Sequence, residues 1–120
     1  MATNFTVQDD VQLKIYGVEF SFDSTDLEIL KRIDDFATQA QTYGDTMKGR
    51  QDYITALEET IQFTIDAIDS ILGKGASEKI FKEVPVSLNK ALNVMDYISK
   101  EVHKAREKSM HQFSPERAKR

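Results

Sequence analysis

Apolar residues recur along this chain with two different periods. From Val11 to Phe22 they alternate with polar ones, as Val11, Leu13 and Ile15 and then Val18, Phe20 and Phe22. Period two puts each trio on one face of an extended chain, so the segment predicts two half-buried strands. Tyr16-Gly17 between them sits where a two-residue hairpin turn belongs, although asparagine is commoner than tyrosine in the first place. A lone hairpin is marginal in water. This one must pack on a helix or pair its edge with another chain.

Beyond Phe22 the spacing changes to three and four, the helical period. Asp23-Ser-Thr-Asp26 opens the first helix, with Thr25 and Glu28 at capping-box spacing. Its stripe is Ile29, Ile33, Phe36, Ala37, Ala40 and Tyr43. Gly44 and Gly49 predict a break between residues 43 and 49. Met47 and Ile54 stay in phase with that stripe, so one bent helix over residues 25–72 is the alternative. The stretch Tyr53 to Phe81 organises the rest. Ile54, Leu57, Ile61, Ile65, Ile68 and Leu72 fall within about 80° of arc, and each such side chain contributes about 1.5–3 kcal/mol when fully buried. Gly73 and Gly75 form a structural turn that stops the helix, and Ser77 is placed to cap a short helix after it. Ala56, Phe63 and Ala67 lie opposite the main stripe. They mark either a central helix of a bundle or a second face for another subunit. Pro85 ends the short helix. Ser87 caps a last one with the stripe Leu88, Ala91, Leu92, Met95, Ile98, Ser99 and Val102, from which Tyr97 faces away. The expected fold is mainly α with an N-terminal β-hairpin, an α+β bundle of three to four helices. Residues 11–109 form one domain with the hairpin at 11–22, residues 1–10 a flexible start and residues 110–120 a flexible basic tail.

Charge adds an asymmetry to this picture. Residues 1–72 carry 14 acids and five bases, whereas residues 73–120 carry six acids and 11 bases. Solvated helix faces account for such runs, and so do opposite ends that attract between copies. There is no cysteine. No run approaches the roughly 20 apolar residues of a membrane span, and the first residues lack the pattern of a signal peptide. The expectation is a cytoplasmic protein without membrane partners.

The chemistry-bearing residue types do not assemble into an active site in the sequence. His103 and His111 could share a helix face, but a metal needs further ligands, so neither a metal nor another cofactor is expected. The pairs Asp34-Asp35 and Glu58-Glu59 diverge by about 100° on a helix and make no dyad. Gly73-Lys-Gly75 follows a helix instead of a strand, which is the wrong context for a phosphate loop. The basic C-terminal part holds one aromatic, Phe113, and is diluted by acids, which makes nucleic acid an unfavoured partner. Tyr53, Phe63 and Ile71 are apolar and lie off the main stripe, so they are the candidate anchors for another protein chain.

Two segments resemble a known family. KIYGVEFSFD (residues 14–23) followed by a charged helix, and then IDAIDSILGKGASEKIF (residues 65–81), is similar to the tail assembly chaperones of long-tailed phages and prophages of Gram-positive bacteria. Ile68, Asp69, Leu72, Gly73, Gly75, Ser77, Lys79, Ile80 and Phe81 follow the family's pattern of a helix, an FGEGT-like turn and a KIF-like helix. Leu72, Lys74 and Ala76 depart from its aromatic, acidic and threonine choices, and Lys82 replaces a frequent glycine. The resemblance covers residues 11–105. It implies a non-enzymatic protein of the host cytoplasm that coats the tape measure protein before the tail tube forms, that can also meet the tube protein, and that is absent from the virion. A homo-oligomer is expected. The competing readings are a small self-associating structural or adaptor protein and, behind it, a nucleic-acid-binding regulator.

Overall fold

The computed structural model describes residues 9–113, with side chains through Met110. Strands β1 (Val11–Ile15) and β2 (Val18–Phe22) pair antiparallel, Val11 opposite Phe22 and Ile15 opposite Val18. Tyr16 and Gly17 both have positive φ, 46° and 84°, which is the type I′ pattern that matches strand twist. Four helices follow: α1 (Leu27–Met47), α2 (Tyr53–Leu72), the short α3 (Ala76–Ile80) and α4 (Leu88–Phe113). The α+β bundle expected from the sequence is what forms. A break separates α1 from α2, but it falls later than expected, at Lys48–Asp52 with Gly49 at φ 80°, and Gly44 stays inside α1. Helix α4 runs past the expected start of the tail at residue 110. The expectations for residues 1–8 and 114–120 lie outside the described residues.

The helix ends differ in detail from the sequence reading. Asp26, not Thr25, caps α1, and its Oδ1 accepts from the N–H groups of Glu28 and Ile29. Thr25 instead donates to Asp23 in a local turn. Ser87 does cap α4, accepting from Lys90 N–H at 3.2 Å. Gly73 (φ 111°) ends α2 and Gly75 (φ 85°) starts α3. Ser77 is therefore inside α3 and not at its cap. Its N–H and hydroxyl both donate to the Asp69 carboxylate, at 2.7 and 2.9 Å.

The interior gathers the inner face of the hairpin (Val11, Leu13, Ile15 and Phe22), the end of α2 (Ile68 and Ile71), Ile80 of α3, and Ala91, Val94, Met95, Ile98, Val102 and Ala105 of α4. Tyr97, expected to face away, packs against this cluster and sets its hydroxyl 3.5 Å from the Lys14 nitrogen. Leu92, expected on the inner stripe, is exposed, and Val94 takes the inner place.

Helix α2 is turned by about a quarter of a revolution from its expected setting. The residues it buries are Ala56, Thr64, Ile68 and Ile71. Ile54, first of the expected stripe, is 73% exposed, and Leu57, Ile61, Ile65 and Leu72 are half-covered. The buried face carries small side chains, Ala56 and Thr64, ahead of Ile68 and Ile71, and Thr60 and Thr64 return their hydroxyl protons to the carbonyls of Ala56 and Thr60. With its hydroxyl satisfied in this way, a threonine sits in a dry interface like an apolar residue.

The molecule is long: it measures 62 × 36 × 20 Å with a radius of gyration of 17.5 Å, against about 13 Å for a compact domain of this size. The C-terminal half of α1 and the N-terminal half of α2 contribute nothing to the core cluster and pair with each other as an arm. There Phe63 lies between Phe36 and Tyr43, with ring centroids at 5.3 and 4.3 Å. Arg50 closes the tip, donating to both Asp52 oxygens and to Glu59. Those carboxylates raise the Arg50 guanidinium above its ordinary pKa, and Arg50 lowers that of Asp52.

Candidate functional site

The most unusual element is α1. It carries Leu27, Ile29, Leu30, Ile33, Phe36, Ala37, Ala40, Tyr43 and Met47, yet none of its 21 residues is buried. Phe36 and Tyr43 turn towards α2 through Phe63. Leu30, Ile33 and Ala37 turn instead towards α4 and, with Val102, floor a groove of about 540 Å³ between the two helices. Its rim carries Lys100, His103, Lys104 and Arg106 opposite one acid, Asp34. Lys100 and Lys104 also bind acids of their own helix, Asp96 at 2.9 Å and Glu101 at 3.2 Å. The groove is thus an apolar trough with a basic margin. Such a trough suits the apolar seam of an amphipathic helix whose flanks are acidic.

The three residues singled out as anchors have different fates. Tyr53 is 63% exposed at the start of α2, beside Ile54, and can meet a partner. Phe63 is half-covered, with its ring faces occupied by Phe36 and Tyr43, so it holds the arm together. Ile71 is 5% exposed and belongs to the core, a correction that follows from the rotation of α2. Gly73, Gly75 and Ser77 serve the turn between α2 and α3, with Asp69 as its organiser. The residues that sequence reasoning missed are those of the groove. Leu30 is outside the expected α1 stripe, and nothing in the sequence places α4 beside it.

A second polar cluster ties the residue before β1 to the turn ahead of α1 and to the last part of α4. Asp10 accepts from Ser24 N–H at 2.7 Å, from the Ser24 hydroxyl at 2.6 Å and from the Ser109 hydroxyl at 3.3 Å. Desolvation pushes the Asp10 carboxyl up, but these hydrogen bonds outweigh it and hold its pKa below the ordinary value. A depressed carboxylate adds stability above its unfolded pKa of about 3.9 and loses it as pH falls through the folded value. Urea midpoints should therefore drop more steeply below about pH 4 in the wild type than in Asp10→Asn. Parallel curves would show that Asp10 plays no part in the acid response.

Among the described residues, no group of three His, Cys, Asp or Glu side chains could hold a metal ion, and no helix is long and apolar enough to cross a membrane. His103 is exposed and reaches Glu107 at 3.5 Å. The fold and its uncovered faces define a small helical α+β protein with a hairpin at one end and an arm at the other. The chain belongs to DUF6673, a family of unknown function, whose model matches residues 16–120. No curated protein matches it, and no solved structure does.

Proposed function

We propose that this protein is an assembly chaperone, a binding protein and not an enzyme, that holds a long helical partner through the groove between α1 and α4. The observation that carries the reading is that a 21-residue helix rich in apolar side chains has no buried residue. A helix normally gains its stability in a protein by burying such a stripe, so this one is left with area for another chain. The resemblance of residues 14–23 and 65–81 to tail assembly chaperones supports the tape measure protein as that partner, held extended in the bacterial cytoplasm until tube subunits displace the chaperone. Each contact is small, and repetition along a long partner supplies avidity while leaving each copy releasable. The basic rim of the groove favours a partner whose apolar seam has acidic flanks.

The test is co-expression with a long coiled-coil tape measure protein. The wild-type chain should carry it into the soluble fraction. Ala37→Glu and Leu30→Glu, which place acids on the groove floor, should leave it as insoluble as it is alone, with the chain's own melting curve preserved in Ala37→Glu, where the residue is exposed. If the wild-type chain leaves the partner's solubility unchanged, the proposal fails. If the groove variants work as well as wild type, binding lies elsewhere.

A further inference from the structure

We infer that the outer edge of β2 is a self-association surface, at which two copies of this chain pair β2 to β2 antiparallel about a two-fold axis at Phe20. This goes beyond the chaperone reading, since β2 takes no part in the groove. The two-residue turn fixes which backbone groups are free. Ile15 and Val18 close the hairpin, so Leu13 with Phe20 and Val11 with Phe22 also exchange hydrogen bonds. The N–H and C=O groups of Glu19 and Ser21 then point away from β1, and among the described residues no hydrogen bond reaches them.

The two edges of the hairpin are treated differently. Helix α4 packs along β1, and Tyr97 stands at the Lys14 nitrogen on the β1 side. The element that β2 meets extensively is β1. Burial falls across the sheet in the same direction: Val11, Leu13 and Ile15 are buried, whereas Val18 and Phe20 on the same face are half-exposed. The apolar layer under the hairpin runs out of cover where the backbone runs out of partners. Open edges of this kind invite another strand.

Charge selects both the occupant and the register. Centring the pair on Phe20 sets each Glu19 opposite Ser21 of the second copy, and the outward groups of both residues complete four main-chain hydrogen bonds. The two Phe20 side chains then meet in the closer, non-hydrogen-bonded position on the apolar face. Across the outer face the row reads Lys14, Glu19, Ser21 and Gln12, with no like charges adjacent. Centring on Glu19 would set carboxylate against carboxylate, and centring on Ser21 would set Glu19 against Asp23. The strand is complementary to itself in one register, which is the requirement for an isologous two-fold contact.

Cysteine scanning tests this cleanly, because the chain has no cysteine. In the proposed register F20C brings two thiols together across a pair whose Cα separation of about 4.5 Å lies within the disulfide range. Mild oxidation should link F20C at least about tenfold faster than E19C, whose two copies sit diagonally at about 7–8 Å. Sedimentation velocity on the intact chain supplies the second arm. The wild type should dimerise with rising concentration. Ser21→Pro, which removes an outward N–H that the hairpin does not use and is tolerated on edge strands, should weaken dimerisation at least about tenfold, with a melting curve unchanged at concentrations where both chains are monomeric. A wild type that stays monomeric, a Ser21→Pro that dimerises as well, or an E19C that links as fast as F20C would each overturn the inference.

Discussion

Ile68→Ala should lower the free energy of unfolding by about 2–5 kcal/mol, the range for truncating a buried isoleucine to alanine. Ile68 has no exposed surface and lies where α2, α4 and the hairpin meet. The loss is a large share of the 5–15 kcal/mol typical of a domain. Ile54→Ala, at a residue 73% exposed in the same helix, should change stability by about 0.5 kcal/mol or less. Urea titration of both variants measures the contrast. Equal losses at the two positions would mean that α2 faces the core with its isoleucine stripe after all.

Asp69→Ala should cost about 1–3 kcal/mol, because it leaves the N–H and hydroxyl of buried Ser77 without their acceptor. The damage begins at the joint between α2 and α3, where Ile80 enters the core from a helix of five residues. Asp69→Asn keeps one acceptor oxygen for the Ser77 N–H and should lose less. A double-mutant cycle with Ser77→Ala isolates the pair, and a coupling near zero would show that the glycine turn holds α3 without the carboxylate.

These variants also mark how far the sequence could be read. The hairpin was legible because period two with a central glycine has few other solutions, and the break before α2 because Gly49 adopts a positive φ. The setting of α2 was not. Periodicity reports which side of a helix is greasiest, and the isoleucines from Ile54 to Leu72 dominate that signal. Packing instead chose the face of Ala56, Thr64, Ile68 and Ile71. A threonine whose hydroxyl is returned to its own helix carries no mark in the sequence that separates it from a solvated one. Asp10 was read as part of a flexible start for a related reason: its partners, Ser24 and Ser109, are 14 and 99 residues away. Of the site, Tyr53 was visible as an exposed apolar residue. The groove was not, since it exists only where α1 and α4 run side by side.

The arm has a consequence for how such a chain can diversify. Its two helices lean on each other and on little else, so equal turns could be added to or removed from both without disturbing the hairpin, the glycine joint or α4. Reach and robustness are thus governed by separate parts of the polypeptide, and a lineage could fit longer or shorter spacings on its target by editing one without retuning the other.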